Sequence, residues 1–224
     1  MIYNQDEKPH FKEALDEANL ILISSESITA FPFSLSEIIK EKGMVCRSFD
    51  KAVSYGVDIG NFGSEDALCV NYGEKYIIFY NNSNLIPKNR KRFSLGHELG
   101  HKVMNHDLGN NDKYSVYEIE ANFFAAQLLM PEQIINELRK RGKQITRDNL
   151  QRWFQVSKAA ADKRLETLNK IDYSNRNEEE KSIDNYIVLK FKAIIDSIAP
   201  VPNKYDEYDP HYEEELQNKR NSWY

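Results

Sequence analysis

Cysteine is scarce in this chain: its 224 residues include two, Cys46 and Cys69. Two cannot build a four-cysteine zinc site. Both sit in apolar, strand-like surroundings, which reads as reduced, buried thiols in a protein of the cytoplasm. Long apolar runs are missing too, so no segment reads as a membrane span. The opening "MIYNQDEKPHFKEALDEA" is polar and acidic and does not read as a secretory signal. Nor is there an excess of positive charge. The 30 Lys and Arg stand against 35 Asp and Glu, a formal net charge of −5, which argues against direct nucleic-acid binding along a phosphate backbone. No internal repeat is evident.

What is present is an ordinary globular composition, 41% hydrophobic and 29% charged, in a length that suits one substantial domain with a smaller appendage. Residues 8–23 and 34–42 carry apolar residues near helical spacing, the second opening on a serine and ending at Gly43. "MVCRSF" and "ALCVNYGEKYIIFYNN" read as strands, the latter as a hairpin about its Tyr-Gly-Glu-Lys turn. Arg92 to His106 reads as a helix, "VYEIEANFFAAQLLM" as a second stopped by Pro131, and "PEQIINELRKRG" as a third closed by Gly142. "TRDNLQRWFQVSKAAADKRLETLNK" reads as two short helices meeting at Val156–Ser157. Residues 175–181, "NRNEEEK", read as a charged linker, and "IDNYIVLKFKAIIDSI" as an amphipathic helix. Pro200 to Tyr224 reads as a flexible acidic tail. The expected division is a first domain over 1–142, a small helical subdomain over 143–174, and linker, helix and tail over 175–224.

The chemistry is concentrated in "RFSLGHELGHKVMNHD", Arg92 to Asp107. His97 and His101 stand four apart, so on a helix both rings reach one ion, and Glu98 points beside that ion where it can take a proton from water. A catalytic zinc needs a third protein ligand. His106 falls about 140° round a continuing helix from His101 and is set aside as a helix C-terminal residue. Asp107 occupies the last position of HExxHxxGxxH, but Met104 replaces the glycine that would turn the chain back. The next helix offers Glu118 and Glu120, about 200° apart, of which one can serve. Glu118 ranks ahead, with Asn122, four residues on, hydrogen-bonding a ligand from behind. Ala121, Ala125 and Ala126 let the two helices approach closely.

"RFSLGHELGHKVMNH", followed by "EIEANFFAAQLLMP", resembles the ImmA/IrrE family of zinc metallopeptidases, with its RFTLAHELGHxxxxH and ExxAnxFAaxLLMP motifs. "EKYIIFYNNSN" upstream and "FQVSKAAADKRL" downstream are similar to further family elements, so the likeness spans roughly residues 10–170. Ser94 and Gly96 stand where the family often has Thr and Ala. The resemblance implies an α+β, zincin-like domain: a small antiparallel sheet packed on helices, followed by a small C-terminal helical region. It implies one zinc ion held by His97, His101 and Glu118, with Glu98 as general base. It also implies site-specific cleavage of a regulatory protein, the usual substrate being a helix-turn-helix repressor of a phage, mobile element or stress response.

The strand Tyr76, Ile77, Ile78, Phe79 and Tyr80 is expected to offer an exposed edge for an extended peptide. Tyr114 and Tyr117 are candidates to stabilise an oxyanion. Two other classes compete. Residues 146–168 have a helix-turn-helix outline in which Lys158, Lys163 and Arg164 would face phosphates, against a simple helical pair packed through Trp153, Phe154, Ala160 and Leu165. Alternatively the chain is a toxin component or interaction protein whose zinc site is not used for turnover.

Overall fold

The structure, a computed structural model, describes residues 8–61, 66–73, 75–107, 114–201 and 210–221. The first residues of the N-terminal segment, Glu74 of the hairpin turn, and 202–209 and 222–224 of the C-terminal arm lie outside the described residues.

The elements follow in the order α1 (Phe11–Ser24), α2 (Leu35–Glu41), β1 (Val45–Ser48), β2 (Ala67–Tyr72), β3 (Lys75–Tyr80), α3 (Lys88–Val103), α4 (Tyr114–Leu129), α5 (Glu132–Lys140), α6 (Arg147–Phe154), α7 (Lys158–Leu168), α8 (Glu178–Lys190), α9 (Lys192–Ile198) and α10 (Pro210–Asn221). The fold is α+β, a three-stranded sheet laid on helices. The sheet is mixed and not wholly antiparallel: its order is β1-β3-β2, with β1 parallel and β2 antiparallel to β3. The hairpin accounts for the antiparallel pair. β3, reversed by that hairpin, meets β1 in the same direction.

That order corrects the expectation for Tyr76 to Tyr80. This strand is central, hydrogen-bonded on both sides, and cannot accept an added peptide strand. Its side chains alternate: Ile78 packs into the main helical core, with Tyr76 and Tyr80 beside it, while Ile77 and Phe79 join Ala52, Val57 and Leu68 in a smaller cluster on the opposite face. Burial on both faces is why the strand reads as an unbroken apolar run.

The main core is continuous from Ala14 to Ala199. Close approach of α3 and α4 is set by glycine as much as by alanine. A Cβ on Gly100 would stand 2.9 Å from Phe124 Cδ1, and one on Gly96 3.4 Å from Ala125 Cβ. Arg92 fastens α3 to the end of α6 by donating to the carbonyls of Phe154 (2.9 Å) and Gln155 (3.2 Å), a cation placed on a helix C-terminus.

Of the three residues read as phosphate-facing, Lys158 and Lys163 are exposed but Arg164 is structural. Arg164 is fully buried, donating to Met130 O and Gln127 Oε1, so it pins α7 to the α4–α5 corner and faces no solvent. Ser157 caps α7 by accepting from the Ala160 N–H. The stretch 175–181 is not a linker. Asn177 and Glu180 form a capping box, and three glutamates fill the first turn of α8, where the helix dipole favours them. The single helix expected over 183–198 breaks at Phe191 into α8 and α9. Both pack on the core through Ile187, Phe191 and Ile195. Lys190 closes the C-terminus of α1, its Nζ donating to the carbonyls of Leu22 (2.7 Å), Ile23 (3.1 Å) and Ser25 (2.8 Å). In the C-terminal arm, Pro210–Asn221 is helical. Among the described residues, no helix is long and apolar enough to cross a membrane.

Candidate metal centre

Helix α3 begins one turn earlier than its motif, at Lys88, and carries His97, Glu98 and His101 where it crosses α4. Their ring nitrogens and the carboxylate of Glu118 converge. His97 Nε2 lies 2.9 Å from His101 Nε2 and 3.3 Å from Glu118 Oε2, and His101 Nε2 lies 3.1 Å from Glu118 Oε1. Ligand atoms bound at about 2.0–2.1 Å to a tetrahedral ion stand roughly 3.3 Å apart, so three atoms at these separations fit one small divalent cation. Among the described residues, this is the trio of His, Cys, Asp and Glu side chains arranged to hold a metal.

Charge is distributed unevenly around the trio. Contact with His101 and His97 holds the Glu118 carboxyl far below the usual carboxylate range. Burial draws His97 down, but the adjoining Glu118 outweighs it and the net shift is upward; burial prevails at His101, which is lowered. Glu98 is buried beside them, and loss of solvation pushes its carboxyl up to about 7 in spite of His97. The Glu98 carboxylate accepts the Cys69 backbone N–H, which ties β2 to the centre.

The other residues singled out in the sequence are dispersed about this centre. Asn122 Oδ1 lies 3.1 Å from His97 Nδ1, behind the ring. Tyr114, half exposed, hydrogen-bonds Glu118, and that negative charge raises its hydroxyl above the ordinary tyrosine value. Tyr117 points elsewhere, stacked on the His106 ring at 4.3 Å with an interplanar angle of 13°. Asp107 lines a 490 Å³ polar cavity with Cys69, Asn71, Tyr76, Lys102 and His106. It is not one of the converging trio.

Glu120 and His106 were misjudged from the sequence. Glu120 is neither solvated nor a competing ligand: its side chain is buried, facing away from the trio, and bonds His106 Nε2 at 2.9 Å and His10 Nδ1 at 3.0 Å. His106 is not on a continuing helix. α3 ends at Val103, and Asn105 takes a left-handed conformation with φ 53°. The Asn105 N–H then bonds Lys102 O and the His106 N–H bonds His101 O, a Schellman closure that folds His106 back onto His101. The signal was the asparagine in "VMNH", a residue that tolerates this conformation.

A second cavity, a groove of 880 Å³, opens on the Asn122 side of the centre between α3, α4 and α7. Phe11, Phe93, Ile119, Phe123 and Ala160 line it, with Lys163 and Lys170 among its polar residues.

A small sheet tied to a helix that offers two imidazoles, with a carboxylate from the next helix closing the trio, defines a metallopeptidase type of centre. Residues 54–166 match the IrrE N-terminal-like domain of peptidase family M78, half of the chain, and the chain belongs to that family. The matched residues include His97, Glu98, His101, Glu118 and Asn122, whereas His10, α2, α8 and α9 lie outside them. No curated protein matches the chain.

Proposed function

We propose that the chain is a zinc-dependent endopeptidase acting in the cytoplasm. The observation that carries this reading is the convergence of His97 Nε2, His101 Nε2 and the Glu118 carboxylate within 3.3 Å of one another, beside the buried Glu98. The three side chains hold one zinc ion, with Asn122 orienting His97 from behind. The ion, when bound, polarises the scissile carbonyl and acidifies the attacking water.

Glu98 serves as general base. Its carboxyl, pushed up to about 7 by burial, accepts the water proton near neutral pH and returns it to the departing amide nitrogen. Tyr114, half exposed, is the candidate donor to the oxygen that gains charge, its hydroxyl turning from Glu118 to the substrate.

The substrate chain lies along β2, which is the edge strand next to α3, and not along β3. The Cys69 N–H points to Glu98 and away from β3, so the outer edge of β2 runs alongside the centre. Asp66, just before β2, belongs to the apolar groove, and Asn71 to the polar cavity, so a peptide on this edge passes from one to the other across the centre. The apolar groove takes large apolar side chains on one side of the cut.

The motif likeness of "RFSLGHELGHKVMNH" and "EIEANFFAAQLLMP" supports a helix-turn-helix repressor as the protein cleaved. Incubating the full chain with zinc and such a repressor tests this. One discrete cut is expected, absent with Glu98→Gln although that variant still binds zinc. A biological effect that survives Glu98→Gln makes the chain a binding protein and not a protease.

A further inference from the structure

Behind His101, on the side away from the trio, runs an unbroken line of hydrogen bonds. His101 Nδ1 lies 2.9 Å from His106 Nδ1, and His106 Nε2 lies 2.9 Å from Glu120 Oε2. Glu120 Oε1 in turn accepts the backbone N–H of His10 at 2.6 Å and lies 3.0 Å from His10 Nδ1. The side chains of His101, His106 and Glu120 are 4%, 3% and 2% exposed, so water does not compete for these bonds. Tyr117 stacks flat on the His106 ring and holds its plane.

The order of donors along this line is dictated from its far end. An ionised Glu120 only accepts, so His106 must present Nε2–H to it. His106 Nδ1 is then bare and accepts, and His101 must donate from Nδ1–H. That leaves His101 Nε2 without a proton, and Nε2 is the atom that faces His97 and Glu118. A carboxylate two residues removed from a metal ligand in space therefore selects the tautomer that can bind a metal.

We propose that His106 and Glu120 are positioning residues for the metal centre, a buried relay that orients His101 and fixes its Nε2 as the free nitrogen. This rests on the reading of His97, His101 and Glu118 as the metal ligands. The relay also anchors the start of α1 to the centre through His10, from outside the residues that match the family.

Glu120→Gln is the decisive variant, because it keeps the side-chain volume while removing the charge. Its amide can donate to His106 Nε2 and reverse every proton in the line. Nitrogen-15 NMR of the metal-free full chain reads the tautomer directly. His101 is expected to carry its proton on Nδ1 in the parent protein, with the Nε2–H form gaining in Glu120→Gln. Zinc affinity, measured by competition with a chelator, is expected to fall about 10- to 100-fold in Glu120→Gln and in His106→Ala. The double variant should be no weaker than the worse single one, because the two act in one line.

Thermal unfolding of the metal-free variants separates a folding defect from a lost relay, and Glu120→Gln carries the test should His106→Ala not fold. Zinc bound by Glu120→Gln within twofold of the parent, or a parent His101 protonated at Nε2, overturns the proposal. His97→Ala is measured alongside. If it keeps full zinc affinity, the ligand assignment itself fails, which is a different result from failure of the relay alone.

Discussion

The two imidazoles of the centre are four residues apart on one helix, yet they are supported in different ways. His97 is the less buried of the two, and its Nδ1 meets the neutral amide of an exposed Asn122, which lines the apolar groove. His101 is enclosed, and its Nδ1 meets His106, then the buried carboxylate of Glu120. Support by a neutral group at the open end leaves room for a substrate beside His97. Support by a charged line at the closed end fixes the ring against which the rest is built.

The largest expected effect concerns the chemistry between the two. Glu98→Gln should lower turnover by about 10³-fold while zinc remains bound, the usual scale for loss of a general base. Glu118→Ala should abolish zinc binding, measured by metal content after dialysis, where Glu120→Gln weakens it. Equal effects of the two glutamates would erase the distinction between ligand and relay.

Next is a stability effect of opposite sign at the two acids. The Glu98 carboxyl is raised from 4.5 to about 7 by burial, so the metal-free native state binds its proton more tightly than the unfolded chain. That proton binding stabilises the fold at low pH, and the gain is lost as pH rises from 4.5 to about 7. Glu98→Gln should therefore stabilise the metal-free protein at pH 8 by roughly 3 kcal/mol, with little gain at pH 4. Glu118, held low by both histidines, contributes stability that is lost as pH falls through the acid range, so Glu118→Gln should destabilise near neutral pH. Denaturant unfolding across pH checks both signs.

The two glycines sharpen the comparison through packing. A Cβ at Gly100, beside His101, meets Phe124 Cδ1 at 2.9 Å and Ala121 Cα at 3.3 Å, whereas at Gly96, beside His97, it meets only ordinary contacts of 3.4 Å. Gly100→Ala should cost about 1–3 kcal/mol by overpacking and weaken zinc binding. Gly96→Ala should be neutral or stabilising, since alanine favours a helix by up to about 1 kcal/mol over glycine. Smallest is Asn122→Ala, expected to weaken zinc binding by less than tenfold, below the loss for His106→Ala. A larger loss at Asn122 would reverse the ranking of the two ends.

Local pattern was enough for most of the helices and for the hairpin, because periodic apolar spacing and turn residues act within a few positions. It also brought His97, Glu98 and His101 to one face, since four residues make about one helical turn. It misled where a neighbour in space decided the outcome. "EKYIIFYNN" looks the same as an edge or a central strand until β1 is seen to pair with it. "NRNEEEK" looks like a solvated linker until Asn177 caps it and Arg176 meets the buried Glu132.

The sequence by itself determined the two histidines, the base between them and the short list of acids on α4, because helix geometry alone relates those positions. Only the tertiary structure decided how the two acids divide. Glu118 faces the histidine nitrogens and Glu120 faces His106, because the Schellman turn at Asn105 sends His106 back behind His101 and α1 delivers the His10 N–H from the other side. A buried carboxylate persists only where donors converge on it, and those donors, His10 and His106, lie 96 residues apart in the chain.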